Sequence, residues 1–494
     1  MRNHGIGSWT ARRARKSPHR PALVYGHVQL TYGQLHDRTT RLAHYLRGLG
    51  VRPGDRVAYL GPNHPSFLET LFATAQLGAI FVPLNTRLAE PELLHCLADS
   101  GASVLMHTET FQAFADSCDV PRRVAAGTTL DEELAALQVT ALDVSVSHSD
   151  IAIIMYTSGT TGRSKGAVIT HGNLVWNSVN TLVDGDFSAD DITLLSAPLF
   201  HTAALNMTCL PTVLKGGTLL LEESFSPTRT LDVIERLGVT VMFGVPAMFQ
   251  QIASASGFTQ ADLSSVRMLL CGGAPVPEAL IRTYERRGIG FLQGYGMTEA
   301  SPGVCLLDAE HALEKPGSAG LPHFFTDVRI VNAAGQDATR GELLVEGPNI
   351  MRGYWNLPEE TASVLQDGWF RSGDIAVADE DGYITIVDRA KDMIISGGEN
   401  IYPAEVEKAL YEHHAVSDCA VIGVPDEKWG EVPRAVVVLA PGTKASAEEI
   451  LAFLHGRLAR YKIPKSVVFA DALPRSGAGK LLKPRIRQTY GTTS

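Results

Sequence analysis

Between Tyr156 and Ala167 the chain reads TSGTTGRSKG, with seven Thr, Ser or Gly residues packed into positions 157–164 and Lys165 directly after them. Side chains this small let the backbone approach a ligand closely. Their N–H groups and hydroxyls can converge on one anion, and the lysine adds positive charge, so the segment is built like a phosphate loop. It is not a Walker A loop, because Ser164 stands five residues after Gly159, where that pattern needs glycine. Gly162–Gly166 also matches the G-x-S-x-G elbow of serine hydrolases, but an elbow needs its serine at the tip of a sharp strand-to-helix turn. Ser164 lies instead inside a polar loop that runs on into Ala167–Thr170, which reads as extended.

Further along, Gln293–Glu299 (QGYGMTE) offers an aromatic face at Tyr295, a hydroxyl at Thr298 and a carboxylate at Glu299. Asp374, in RSGD, and Arg389, in DRAKD, flank strands of a β-rich region, and Lys480 sits in the turn-rich PRSGAGK near the C-terminus. His413–Asp418 (HHAVSD) fits the H-x-x-x-x-D of some acyltransferases. It falls short of the related condensation-domain motif at Cys419, where glycine is needed, and a polar helix end explains it better.

The elements that must position these groups follow from periodicity. Thr31–Gln34 has the T-x-x-Q order of a capping box, apolar residues from Leu35 to Leu49 recur at helical spacing, and Gly50 closes the helix. Apolar strands are expected at Val57–Leu60, Ile80–Val82, Val104–Met106, Ile151–Tyr156, Thr240–Phe243 and Met268–Cys271, with a helix over Ser66–Leu77. Apolar strands alternating with helices indicate an α/β fold whose mainly parallel sheets are covered on both faces. Short alternating strands (Val328–Val331, Glu342–Glu346, Tyr383–Val387) predict a β-rich subdomain over about 317–390. An α+β pattern follows: a helix from Pro403, strands Cys419–Gly423 and Ala435–Ala440, and a helix over Ala447–Arg460. The expected organisation is a large N-terminal domain, 1–390, and a small mobile C-terminal one, 391–494.

A chain of 494 residues is long enough for roughly three packing units. Its net charge of −10 argues against nucleic acid as a partner, since that affinity rests on basic patches. Six scattered cysteines without a C-x-x-C pair exclude a disulfide framework and a zinc-ligand spacing. The longest mostly apolar stretch, Leu71–Leu84, is too short to span a bilayer, and no apolar run follows the basic N-terminus. The expected location is the cytoplasm.

Together the TSGTTG…KG loop, YGMTE, the GGEN–IYP stretch (Gly397–Pro403) and the terminal GK resemble the adenylate-forming superfamily, from about Pro21 to about Arg485. PDEKWGEVP (Pro425–Pro433) and SGGENIYPAEVE (Ser396–Glu407) are most similar to its acyl-CoA synthetases for fatty or aryl acids. The resemblance implies a two-step reaction: a carboxylate attacks the α-phosphorus of ATP to give acyl-AMP and pyrophosphate, then the thiol of CoA displaces AMP. It implies that Thr157, Ser158, Gly159, Thr160, Thr161 and Lys165 hold the β- and γ-phosphates, Thr298 contacts phosphate and Glu299 holds Mg²⁺. Tyr295 would stack on adenine beside Gly273 and Ala274, and Asp374 and Arg389 would hold the ribose. Lys480 would bridge the carboxylate and the nucleotide oxygens during adenylation. A hinge at Lys391 would then bring the Gly397–Gly398–Glu399 loop into its place for thioester formation. Lys480 is also a candidate for acetylation, which would delete its charge.

By the same resemblance the acid lies between Phe200–Ala204, Phe243–Pro246 and Gly294–Met297, with His201 as a gate near its carboxylate. His201 alone reads equally well as a satisfied strand-end residue. Coumarate ligases, which are similar here, carry an aromatic hydroxyl two residues beyond this histidine; this chain has Ala203, with Met207 further along. Ala203, Met207, Phe243, Val245, Gly294, Gly296 and Met297 would therefore form an apolar, roomy wall. That weakens a phenolic acid and favours fatty, cinnamyl-like or polycyclic acids, and the absence of Asp from Val239–Val245 disfavours amino acids. The leading expectation is ligation of an apolar carboxylic acid, fatty, aryl or polycyclic, to CoA. One alternative passes acyl-AMP to a carrier-protein phosphopantetheine or a partner ligase. Another is a non-catalytic nucleotide- or acyl-binding regulator, against which Lys165, Glu299 and Lys480 together argue. A homodimer is compatible with the resemblance.

Overall fold

Thr31 starts the helix Tyr32–Gly48 with a full capping box: its hydroxyl accepts from Gln34 N at 3.2 Å, and the Gln34 side chain accepts from Thr31 N at 2.9 Å. Gly50 follows at φ 101°, in the left-handed region through which chains leave helix ends. The next helix, Pro65–Gln76, is buried on every side, so even its polar Ser66, Thr70, Thr74 and Gln76 lie inside. Its one acid, Glu69, is held there by Arg38 at 2.6 Å.

This computed structural model describes residues 2–157, 163–273, 276–332, 334–389, 393–474, 481 and 483–491, without the side chains at 387–389, 404 and 484. The chain forms two compact units. The first comprises Met1–Thr86, Leu97–Tyr156 and Gly166–Val387; the second comprises Arg87–Cys96, Thr157–Lys165 and Asp388–Ser494.

Two large sheets run through the first unit. In one, Arg56–Leu60 lies between Ile80–Pro83 and Val104–Thr108, all parallel. In the other, Ile192–Leu195, Val241–Gly244, Met268–Gly272 and Phe291–Gly296 run parallel, and antiparallel strands close both edges. The parallel strands are almost wholly buried, which explains their continuous apolar runs. One apolar core links them, from Val57 and Phe81 to Leu194 and Phe291. A smaller sheet pairs Asp327–Val331, Arg340–Glu346 and Trp369–Ala378 antiparallel; the first two match the expected segments, the expected third is the strand Ile384–Arg389 beside Trp369–Ala378, and Trp369–Ala378 itself was not anticipated.

In the second unit the hairpin Val416–Asp426 and Gly430–Leu439 forms the sheet centre, with Ser466–Phe469 added in parallel. The helix from Ala447 ends at Leu454 rather than at Arg460. His455 turns extended and Gly456 takes φ 77°, so the chain reverses and carries Lys462 to full burial. Among the described residues no helix is long and apolar enough to cross a membrane. All six cysteines are buried and unbridged, and burial raises the thiols of Cys209, Cys271 and Cys305 far above their ordinary range.

His171 opens the helix His171–Asp184, fully buried, and its Nδ1 accepts from Ile6 N at 3.3 Å. Burial lowers its pKa from 6.5 to about 4. An unfolded chain takes up this proton as pH falls through 6.5, whereas the folded chain resists it until about 4. The contribution is therefore complete above pH 6.5 and is lost on acidification through that window. It amounts to about 3 kcal/mol. Denaturant midpoints should drop between pH 7 and pH 4.5, and less steeply in His171→Gln; equal slopes would assign the acid sensitivity elsewhere.

Candidate active site

Tyr295, near the end of the strand Phe291–Gly296, donates its hydroxyl to Asp374 Oδ2 at 2.7 Å, on the strand Trp369–Ala378. Burial first, and the facing carboxylate second, push this phenol well above its usual range, so it remains a donor. The bond holds ring and carboxylate in one fixed relation. Thr298–Ala300 forms the following turn. There Glu299 Oε1 accepts from the Tyr354 hydroxyl at 2.8 Å, and the Glu299 carbonyl accepts from Met351 N at 2.8 Å. Tyr354 stands on a two-residue strand paired with Ala167 and Val168. No motif marked Tyr354, because its partner is 55 positions away and only the folded sheet joins them. Gly273 turns out of the strand Met268–Gly272 at φ 86°, and a Cβ there would lie 3.6 Å from Val245 Cγ1.

The segment expected to wall the acid holds a local surprise. Ala204–Cys209 is a π-helix running into the helix Leu210–Lys215, a wide turn that concentrates at functional sites. His201 therefore stands at a helix start, not a strand end: its carbonyl accepts from Leu205 N at 3.3 Å, and its ring tilts against Phe200 at 4.8 Å. Met207 is buried, with Sδ 3.7 Å from Thr181 Oγ1 and 4.0 Å from Asn177 Nδ2. Opposite Gly272 in the parallel register stands Gly294. A Cβ at Gly272 would sit 3.1 Å from Gly294 O and 3.6 Å from Phe243 Cε2, whereas one at Gly294 would find its nearest neighbour, Leu306 Cδ1, at 4.0 Å. Gly294 thus opens onto unfilled space. Gly296 does not: a Cβ there would lie 1.8 Å from Pro302 O, so glycine is demanded by backbone packing. Met297 packs, partly buried, into the cluster around Val304 and Met351, and Ala203 lies against the main core.

Thr157 ends the strand Ile151–Thr157 and Lys165 opens the strand Lys165–Thr170. Ser158, Gly159, Thr160, Thr161, Ala274, Lys391, Lys480 and the Arg389 side chain lie outside the described residues. Gly397 and Gly398 turn at φ 58° and 86° between Ile394–Ser396 and Glu399–Ile401. A Cβ at Gly397 would meet Trp429 at 2.5 Å, and Glu399 is buried against Arg87 at 2.5 Å. Lys462 lies between Glu92 and Glu405, the latter at 2.8 Å. Among the described residues no group of three or more His, Cys, Asp or Glu could hold a metal alone.

Fold and side chains together give an α/β architecture in which the candidate residues on the strands ending at Gly272 and Gly296 stand side by side. The AMP-binding enzyme model matches residues 10–355, and the AMP-binding enzyme C-terminal domain matches residues 405–480. The chain is 57% identical over 498 residues to feruloyl-CoA synthase from Amycolatopsis sp., covering 99% of this chain and 100% of that protein. It is 43% identical to indoleacetate–CoA ligase from Aromatoleum aromaticum, over 98% of each. Its fold is similar to that of o-succinylbenzoate CoA synthetase from Bacillus subtilis, with a TM-score of 0.90 and 34% identity over 97% of this chain and 98% of that one. The chain belongs to the AMP-binding enzyme family, within the adenylate-forming superfamily. It is an acid–CoA ligase that activates a carboxylic acid with ATP and passes the acyl group to CoA.

Proposed function

We propose that the acid is a planar aryl-propenoic acid of the hydroxycinnamate type. The observation that carries this reading is the side-chain-free floor at Gly272 and Gly294, with open space above Gly294 and Phe243 beside Gly272. A flat ring suits such a slot. The full-length likeness to ligases of ferulate and indoleacetate supports it. Ala203 removes one hydroxyl partner for a phenol, yet polar side chains stand deeper, at Asn177 and Thr181.

In this reading Thr157–Thr161, Lys165 and Thr298 take the phosphates, Tyr295, Gly273, Ala274, Asp374 and Arg389 take adenosine, and His201 stands at the acid's carboxylate. Glu299, aimed by Tyr354, would hold Mg²⁺; one carboxylate completed by phosphate oxygens and water is a usual magnesium set. The ion, when bound, supplies charge neutralisation on the phosphates. Lys480 serves adenylation, and the Gly397–Glu399 turn serves thioester formation after rotation about Lys391.

A pyrophosphate-release panel of 4-hydroxycinnamic, cinnamic, indole-3-acetic, benzoic and decanoic acids tests the reading. The cinnamic-type acids should show the highest kcat/KM. Gly294→Val should lower their values about 10²-fold by displacing the ring from its slot, with a much smaller change in KM for ATP. Decanoic acid as the preferred substrate would overturn the reading.

A further inference from the structure

Behind the acid wall three elements meet on Asn177: the helix His171–Asp184, the π-helix, and the chain between Gly303 and Thr326. Asn177 Oδ1 accepts from Gly303 N at 3.0 Å, and its Nδ2 donates to Asn206 O at 2.9 Å. Asn180 on the same helix donates to Thr326 Oγ1 at 3.0 Å and accepts from Phe325 N at 2.9 Å. Asn349 closes the frame, donating to the carbonyls of Ala300 at 2.8 Å and Gly303 at 2.7 Å. Buried amides satisfied on both ends make such a frame rigid.

Two atoms in this frame are idle. Asn206 is fully buried, and while its Nδ2 donates to Thr202 Oγ1 at 2.9 Å, its Oδ1 meets no partner. The His323 side chain is 1% exposed; its Nδ1 bonds Asp184 Oδ2 at 2.5 Å, and its Nε2 is buried without a partner. A carboxylate can only accept, so Nδ1 carries the proton of this bond, and in that tautomer Nε2 is an acceptor. Nε2 borders Gly303: a Cβ built there would lie 2.8 Å from it and 3.2 Å from Asn177 Oδ1. Glycine at 303 is what lets the buried Nε2 lie this close to the backbone. Asn177 Nδ2 and Thr181 Oγ1 reach Met207 Sδ, which joins this corner to the acid wall. Buried acceptors without partners are rare and call for a group that completes them.

We propose that His323 Nε2 accepts a hydrogen bond from a hydroxyl on the ring of the bound acid, at the end remote from its carboxylate. The ligase thereby selects ring-hydroxylated over unsubstituted aryl-propenoic acids, with Asp184 as a positioning residue that fixes the tautomer. The inference rests on the aryl-acid reading above. It adds the chemistry of the far end: a donor, not merely bulk.

The test compares 4-hydroxycinnamic, 4-methoxycinnamic and cinnamic acids by pyrophosphate release in the wild type and in His323→Leu. In the wild type kcat/KM for the hydroxylated acid should exceed both others by about tenfold or more, because the methoxy group offers no donor. In His323→Leu that ratio should fall toward one. A ratio that persists in His323→Leu, whether or not overall activity falls, would overturn the assignment. So would a wild type that treats hydroxyl and methoxy alike, a comparison that stands even if His323→Leu does not fold. Failure of the aryl reading looks different: none of the three acids is turned over while decanoic acid is, and this inference falls with it.

Discussion

Lys480→Ala should slow acid-dependent pyrophosphate release by about 10²–10³-fold, the cost, about 3–4 kcal/mol, of deleting one preorganised charge at a transition state. Thioester formation from synthetic acyl-adenylate and CoA should proceed at nearly the wild-type rate. The physical reason is electrostatic. In the first half-reaction a carboxylate must approach a phosphorus already surrounded by negative oxygens, and an ammonium between them lowers that repulsion. In the second half-reaction the attacking group is a thiol on a carbonyl carbon, and the lysine has no charge to offset. Rapid-quench assays of the two half-reactions separate these outcomes; equal losses in both would refute the assigned role.

A second large effect is expected on stability. Lys462 is fully buried with Glu92 on one side and Glu405 on the other, and Ala459 N donates to Glu92 Oε2 at 2.9 Å. Removing the ammonium in Lys462→Ala leaves two buried carboxylates facing each other without compensation, which costs about 3–5 kcal/mol. Burial already raises the Glu405 carboxyl above its ordinary value, with Lys462 opposing that rise. Without Lys462 the carboxyl rises further, the folded state binds a proton the unfolded state does not, and the deficit shrinks as pH falls. Thermal unfolding from pH 8 to pH 5 should show the variant well below wild type, with the gap narrowing toward acid. A gap independent of pH would mean that lost packing, not charge, causes it.

How much of this was legible beforehand depends on the range of the interaction. The Thr31 capping box, the turn at Gly50 and the buried parallel strands are written within a few residues of one another, and the structure places them where local spacing puts them. The helix from Ala447 overran in the sequence reading because Glu448–Leu458 keeps a helical pattern. What ends it is the inward turn toward Lys462, whose partner Glu92 is 370 positions away. The π-helix was hidden for another reason. The sequence offered only a strand-end alternative for His201 and no element over Ala204–Cys209, because an i→i+5 turn has no short signature. His323 escaped altogether, since nothing in GLPHFF marks it until Asp184 and Gly303 are brought beside it. Glu299 was legible as a carboxylate in a motif, but the Tyr354 hydroxyl that aims it was not.

The placement of sulfur in this chain bears on how cleanly it works. An acyl-adenylate is a strong electrophile, and the second step delivers it to an external thiol. Cysteine attacks as thiolate, and only where it can be reached. All six cysteines are shut inside the protein, and Cys209, Cys271 and Cys305 are held protonated by their apolar surroundings. The enzyme thus carries no competing sulfur nucleophile on its surface, and self-acylation is suppressed while the activated acid waits for CoA.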